Sequence, residues 1–427
     1  MYECLHYINE RYKPKPSDLI CEYYVEPNRI SLEKVSEHLA AESSIGTWTT
    51  ISTMNPDIAK RLKPTVYSIN KHTNEVKIAY PSDLFEPGNM PQILSSIAGN
   101  IYGMKAVRKL RLQDIKFPKK IVKKFKGPRL GIKGLRKFTG IKKRPFIGTI
   151  VKPKVGLTAK QHAKVAYDAW IGGCDLVKDD ENLSSLNFNK FRDRVDYTLR
   201  AKEKAELKTG EKKLYLPNIT AECVEMLKRG EYVKNQNGNY VMVDIVTTGY
   251  SALTTVRNKI NLPIHIHRAG HAMFTRDPKH GMSMLTLAKI SRLLGADTLH
   301  IGTAYVGKMV ETKTDTLVIE DEIEHNMIQE NVRAHVLEQK WYHIKPTFAV
   351  ASGGLHPGMI PKLVDLMGKN IVMQFGGGIH GHPKGTVSGA MAAKQALNAV
   401  LKRKSLHDYA KTHNELSLAI KKWGVVK

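Results

Sequence analysis

Apolar residues along the first 115 positions fall into short alternating runs separated by two stretches of helical spacing. Runs rich in β-branched and aromatic residues at 19–25, 47–52, 65–69, 76–80 and 107–115 predict strands, and apolar stripes at 31–41 and 90–98 predict helices. That order describes a compact α+β domain of the ferredoxin-like sort with one extra strand. From residue 146 the pattern changes to short β-rich runs alternating with helical stretches, the sequence form of parallel βα units. Candidate strands end near Lys152, Lys178, Asn218, Asp244, His267, His300, Ser352 and Gly376. Eight units between residues 146 and 402 predict an α/β architecture, a (β/α)8 TIM barrel, which typically takes ~250 residues. The first unit shows the local logic. FIGTIVK is a strand, Thr158 with Gln161 offers a capping box, and Ala163, Ala166, Tyr167 and Trp170 form one apolar helix stripe. Gly172 and Gly173 then stop the helix before the next strand. The chain therefore divides into an α+β N-terminal domain (1–115), a basic linker (116–145), the barrel (146–402) and a helical tail (403–427).

Composition changes this picture in one place. The 427 residues carry a net charge of +27, and residues 116–144 hold thirteen lysines and arginines with no acid. Such a run raises RNA binding as a hypothesis. A solvated Lys-rich linker is the preferred reading, because the chain has no RNP pattern or zinc knuckle. No apolar run reaches the ~18 residues of a membrane span, and MYECLHYINERYKPK lacks the h-region of a signal peptide. The cysteines Cys4, Cys21, Cys174 and Cys223 are scattered, without CxxC spacing, which speaks against structural disulfides and thiolate zinc. A cytoplasmic, soluble protein is expected.

The active site of such a barrel lies at the C-terminal ends of its strands. Here those ends carry lysine, histidine, carboxylate or glycine turns, whereas the strand bodies are apolar. The sharpest segment is GGCDLVKDDENL, residues 172–183. Lys178, Asp180 and Glu181 stand at and just past a strand end, where alternate carboxylates converge on one hard cation such as Mg2+. Two carboxylates are few for a divalent ion. A neutral Lys178 amine that captures CO2 as a carbamate supplies a third anionic ligand, and the cations Lys152 and Lys154 in TIVKPK are expected to depress its pKa. KDDEN alone is also compatible with a solvated charge run.

Taken together, these segments resemble the large chain of ribulose-bisphosphate carboxylase, most closely its archaeal form III. The resemblance runs from AESSIGTWTT (41–50) through IAGNIYGMKAVRKLRLQD, GTIVKPKVGL, GGCDLVKDDEN, HIHRAGH, LHIGTAYVGK and VASGGLH to QFGGGIHGHPKG (374–385), in family order. It implies a carbamylated Lys178 that binds Mg2+ with Asp180 and Glu181. It implies Lys152 as acid/base at C2 of the substrate, Lys154 holding its position, His267 in proton transfer, and Lys308 on a mobile loop reaching the incoming CO2. Arg268, His300 and Ser352 would grip one phosphate. Thr47, Trp48, Gly354, Gly376 and Gly377 would grip the other, with Gly353 and Gln374 also in the substrate site. Asn100 would contact the metal-bound substrate and Glu42 would pair with Lys308. Since the family builds its site across a dimer, Glu42, Thr47, Trp48 and Asn100 would come from the neighbouring subunit.

The residues themselves agree with this chemistry. SGG at 352–354 and GGG at 376–378 are turns whose exposed N–H groups can cradle two phosphates, although either alone is also an ordinary strand-to-helix turn. His265, His267 and His271 keep an amidohydrolase-like metal cluster open as an alternative. In amidohydrolases, however, HxH precedes the lysine, and here His265 and His271 read better as structural histidines. The implied reaction removes a proton alpha to a carbonyl, giving an enediolate stabilised by Mg2+ and Lys152, with the carbamate as base at C3. The enediolate attacks CO2, water cleaves the adduct into two 3-phosphoglycerates, and O2 competes.

Ile150 and the spacing of HIGTAYVGK match the archaeal and bacterial homodimeric forms, whereas Val310 and Glu311 replace the family's usual Glu-Gly after Lys308. The resemblance further implies ribulose-1,5-bisphosphate, CO2 and O2 as ligands, a homodimer or assembly of dimers without a small subunit, and a role in salvaging nucleoside-derived ribose phosphates. A carboxylase-like enolase or isomerase of a phosphorylated sugar is the alternative enzyme.

Overall fold

The computed structural model describes residues 5–308 and 312–426. Cys4, Val310 and Glu311 lie outside them. The chain forms two compact units, one of Met1–Lys126, Gly270–Leu293 and His325–Ile344, the other of Gly127–Ala269, Leu294–Glu324 and Lys345–Lys427.

In the first unit, strands Leu19–Pro27, Thr65–Asn70, Glu75–Tyr80 and Val107–Lys116 and helices Leu32–Glu42 and Met90–Ile97 follow the predicted order. Each helix starts where a side chain can accept an orphan N–H: Ser31 accepts from Lys34 N and Asn89 from Gln92 N. Numbered by sequence, these four antiparallel strands lie in the order fourth, first, third, second, the ferredoxin-like arrangement. The extra strand is not where it was expected. Residues 47–52 are irregular and Trp48 is 92% exposed, since β-propensity without a partner edge makes no ladder. Asn55 and Pro56 instead start the helix Pro56–Leu62. The fifth strand of the sheet is Gly281–Met282, from much later in the chain, parallel to Val107–Lys116.

The later insertions are fastened by polar contacts. Asp114 and Lys289 form a fully buried pair at 2.6 Å, and Asp114 also accepts from Leu337 N. His335 Nδ1 lies 2.7 Å from the buried Glu22 and 3.4 Å from Glu75. Lys77, 3.4 Å from Glu22, balances these charges.

The second unit carries eight parallel barrel strands: Phe146–Ile150, Leu176–Lys178, Leu214–Leu216, Val241–Asp244, Ile264–His267, Ala296–His300, Phe348–Ser352 and Ile371–Phe375. They neighbour one another in chain order, and the eighth pairs with the first. Between the third and fourth, the bridge from Asn218 to Met242 completes the ring. The capping box of Thr158 and Gln161 opens the helix Ala159–Ile171 as predicted. Helices Leu406–Ala410 and Asn414–Trp423 form the tail.

The segment expected to be a basic linker is more than a tether. Helix Gly131–Thr139 sends Ile132 and Leu135 into the barrel core beside Phe146, Leu176, Leu214, Leu216, Phe348 and Val372. The Arg136 guanidinium lies over Phe146 and Phe348, 5.7 and 5.1 Å from their ring centres, and donates to Lys369 O and Asn370 Oδ1. Arg144 forms a bidentate pair with buried Asp175. Lys119, Lys120, Lys123, Lys124, Lys133, Lys137, Lys142 and Lys143 remain on the surface. The charge run thus mixes structural cations with solvated ones, because a helix presents an apolar and a polar face together.

Candidate active site

Lys178 ends the second barrel strand, and its side chain is buried. Its Nζ donates to Asp179 O at 2.7 Å, lies 3.5 Å from Met242 Sδ and is 3.7 Å from Glu181 Oε2. Burial holds its pKa below the ordinary lysine value, against the pull of Glu181, Asp180 and Asp179, with Lys152 adding a smaller push. Desolvation is therefore the main cause, where sequence suggested Lys152 and Lys154.

Asp180 and Glu181 stay ionised. Burial would raise the pKa of Asp180, but Lys152 Nζ donates to Oδ2 at 2.7 Å, Asn182 N donates to Oδ1, and the net shift is downward. For Glu181 burial is outweighed by Lys178 and His267. Lys154 Nζ stands 3.9 Å from Glu181 Oε1. Lys152, Lys154, Lys178, Asp180 and Glu181 thus form one cluster in which two carboxylates face cationic nitrogens.

Asp179, between two of these residues, turns away. It contacts Arg194 Nε at 2.9 Å, Tyr215 OH at 2.8 Å, His162 Nε2 at 3.1 Å and Asn218 N at 3.0 Å. Burial pushes its pKa up, but Arg194 and His162 pull it well below the usual range. Asn218 Nδ2 also donates to Glu181 O at 3.2 Å. Alternation at a strand end explains the split: residues 178 and 180 point one way and 179 the other. The sequence offered the first acid of KDDE as a signal, but its partners lie up to 39 positions away.

His267 sits between Asp244 and Glu181, with Nδ1 3.5 Å from one and Nε2 3.6 Å from the other. Asp244, a predicted strand end, had been given no site role, yet it also accepts from Ala269 N at 2.8 Å. His300 and Ser352 are hydrogen-bonded at 2.5 Å, and Arg268 is buried nearby in sequence at the end of the fifth strand. Lys308 N donates to Gly353 O at 2.9 Å. Gly354 has φ +73°, and a Cβ there would stand 2.7 Å from Lys308 Cγ, so glycine makes room for the lysine stem. A Cβ at Gly376 would lie 3.3 Å from Lys152 Cε, whereas Gly377 faces open space. Gln374 is 1% exposed, and neither polar atom of its amide has a hydrogen-bond partner. His380, unforeseen from sequence, puts Nε2 2.9 Å from Thr149 Oγ1 and from Ile150 O, and burial lowers its pKa to about 4.

The remaining candidates belong to the first unit. Asn100 Nδ2 donates to Glu42 Oε1 at 3.2 Å, Thr47 is half-buried and Trp48 projects into solvent. The same unit holds the trio Glu22, Glu75 and His335, whose ligand atoms lie within 4.8 Å of one another. It shares no residue with the Lys178 cluster.

The family described as ribulose bisphosphate carboxylase large chain, catalytic domain, matches residues 131–423, and its N-terminal domain matches residues 6–121. The chain belongs to this family. It is 53% identical over 422 residues to the ribulose bisphosphate carboxylase of Methanosarcina acetivorans, covering 98% of each chain, and 48% identical to that of Methanocaldococcus jannaschii, covering 98% of this chain and all of the other. Among solved structures, a dimeric archaeal Rubisco from Hyperthermus butylicus superposes with a TM-score of 0.92 at 43% identity, over 98% and 99% of the two chains. The octameric ribulose-1,5-bisphosphate carboxylase/oxygenase of Pyrococcus horikoshii OT3 gives 0.92 at 44%, over 99% and 97%. The archaeal type of Rubisco large chain is thus the type to which this chain is similar. Among the described residues no helix is long and apolar enough to cross a membrane.

Proposed function

We propose that this chain is a ribulose-1,5-bisphosphate carboxylase/oxygenase whose activity depends on Mg2+ and on a carbamate at Lys178. The observation that carries this reading is a buried lysine of lowered pKa placed 3.7 Å from one of two ionised carboxylates at the mouth of the barrel. That donor set fits the group: a neutral amine is the form that adds CO2, and hard oxygen ligands suit Mg2+. Lys178, Asp180 and Glu181 would hold the ion, which when bound supplies Lewis-acid stabilisation of charge on the substrate oxygens.

The chain's own residues account for the rest. Lys152, beside Asp180, carries an ammonium to the C2 side of the substrate for proton exchange there, and Lys154 steadies it. His267, poised between Asp244 and Glu181, moves a proton during hydration and cleavage. Arg268, His300 and Ser352 bind one phosphate. Gly354, Gly376 and Gly377, with Thr47 and Trp48, bind the other, and Gly353 and Gln374 complete the substrate site. Lys308 directs CO2, paired with Glu42, and Asn100 contacts the substrate. Loss of the C3 proton gives an enediolate; its C2 carbon bonds to CO2, water adds at C3, and C2–C3 cleavage yields two 3-phosphoglycerates. O2 competes at the same carbon.

Copies of this chain alone would assemble as a dimer or as dimers of it, as in the dimeric and octameric relatives, with Glu42, Thr47, Trp48 and Asn100 lent by a neighbouring copy. We place the enzyme in the cytoplasm, in nucleotide-ribose salvage. Incubation with labelled CO2, ribulose bisphosphate and Mg2+ should yield acid-stable label in 3-phosphoglycerate. No incorporation by folded protein preincubated with CO2 and Mg2+ rejects the assignment.

A further inference from the structure

Four hydrogen bonds run in series through the barrel interior. Tyr240 OH lies 3.2 Å from Thr298 Oγ1, which lies 2.8 Å from His265 Nδ1. His265 Nε2 lies 2.9 Å from His300 Nε2, and His300 Nδ1 lies 2.5 Å from Ser352 Oγ. Tyr240, Thr298, His265 and His300 are all at least 96% buried, and Ser352 at the rim is partly exposed.

The buried end decides the direction. Thr298 is the hydrogen-bond partner that Tyr240 has for its hydroxyl. The adjoining void, which Tyr240, Thr298 and His265 line together with Leu135, Phe146, Phe348 and Val350, measures about 10 Å³, the least that can hold a water. Its exposed lining is almost wholly apolar, so a water there would lack the two to four polar partners it needs. A buried O–H without an acceptor loses its solvation for nothing, so Tyr240 must donate to Thr298. Thr298 then donates to His265 Nδ1, which makes Nε2 the protonated nitrogen of that ring. His265 Nε2–H donates to His300 Nε2, and His300 is left with its proton on Nδ1, donated to Ser352. Burial keeps both imidazoles neutral, so each ring carries one proton and the order has no branch. Reversing every bond would strand the Tyr240 hydrogen.

We propose that Tyr240, Thr298 and His265 are positioning residues that fix the Nδ1–H tautomer of His300 and so turn the Ser352 hydroxyl hydrogen outward, toward a phosphate oxygen of the substrate. None of the three needs to touch that phosphate. The inference rests on the reading of His300 and Ser352 as phosphate ligands.

The test uses the full-length enzyme activated with CO2 and Mg2+. Tyr240→Phe should raise KM for ribulose bisphosphate roughly 3–10-fold, the worth of one neutral hydrogen bond, with a smaller change in kcat. Thr298→Val should do the same, and Thr298→Ser should restore wild-type KM. In a Ser352→Ala background, Tyr240→Phe should add nothing. Nitrogen-15 shifts of labelled histidines should report Nδ1–H for His300 in the wild type and a tautomer mixture in Tyr240→Phe, a readout that general loosening would not produce. An Nε2–H tautomer in the wild type, an unchanged KM in Tyr240→Phe, or an equal effect with and without Ser352 overturns the relay. Wild-type KM in Ser352→Ala alone overturns instead the phosphate assignment beneath it.

Discussion

Lys152 and Asp180 are joined by a 2.7 Å charge-assisted hydrogen bond across adjacent barrel strands. One carboxylate of the candidate metal triad thus has a lysine cation for company, and a divalent ion entering the triad must displace or share it. The bond explains how Asp180 remains ionised at a partly buried rim, as Lys178 and His267 do for Glu181.

Activation should therefore precede catalysis. Lys178→Ala should fold, with a thermal midpoint near wild type, and lose carboxylation measured by labelled CO2 incorporation. Preincubating the wild type with CO2 and Mg2+ should shorten its lag. Normal turnover by Lys178→Ala removes the carbamate from the mechanism.

Lys308 should act after enolisation. Its backbone is pinned to Gly353 and its stem packs over Gly354, away from the cluster around Lys178 in sequence and in hydrogen bonding. Lys308→Ala should still exchange the substrate C3 proton with solvent tritium while fixing little CO2. Parallel loss of both reactions contradicts this order.

The site should be shared between copies. Glu42→Gln and Lys178→Ala, each inactive alone, should complement when unfolded together and refolded. In a two-fold dimer about half of the random pairs are hybrids with one intact site, so roughly a quarter of wild-type activity should return. Demonstrated hybrids without activity would mean that each chain completes its own site.

Stability should respond to Glu320, buried in helix Lys313–Glu324 with Oε1 lacking a partner. Burial, with Glu324 and Asp321 adding to it, raises its pKa to about 9. Between the ordinary carboxylate value and 9 the folded chain holds a proton that the unfolded chain has released, so stability falls as pH rises through that window. Glu320→Gln should be silent at pH 4 and stabilising by about 1–3 kcal/mol at pH 7, with further gain toward pH 9. Urea midpoints at the three pH values read this directly, and a pH-independent difference refutes it.

Charge in the basic segment should divide in two. Replacing Lys119, Lys120, Lys123 and Lys124 by Gln should leave turnover within a few-fold, as for solvated charges. Arg136→Met should lower the urea midpoint, by roughly 1–2 kcal/mol of stability, because it removes the hydrogen bonds to Ile141 O, Arg144 O and Lys369 O and the cation over Phe146 and Phe348. Loss of turnover or of copurifying RNA in the lysine variant would instead mark a functional surface.

Periodicity made the barrel legible: every predicted strand end lies within two residues of an observed one, because a strand buried on both faces leaves a continuous apolar run. The four-stranded sheet was equally readable. Gly281–Met282 was not, since two residues carry no period and their pairing comes from a strand some 170 positions earlier. At the site, Lys178, Asp180 and Glu181 stood out through local spacing. Asp179 with Arg194 and Tyr215, and the series from Tyr240 to Ser352, depend on contacts between distant strands, and buried tyrosines and threonines look in sequence like ordinary core. The reading of residues 47–52 failed for a related reason: propensity describes a segment, whereas a ladder needs an edge.

The seat of Arg136 has a consequence for how the molecule is made. Its acceptor Lys369 O lies 233 positions downstream, just before the eighth strand. At ribosomal speeds of ~5–20 residues per second, roughly 10–50 s separate the synthesis of this arginine from that of its partner. Through most of that interval Ile132 and Leu135 lack Phe348, Val350 and Val372, the last-made part of the floor they pack into. The first-made piece of the barrel is thus among the last to settle, and the nascent chain carries an unsheltered apolar helix flanked by cations until the ring can shut around it.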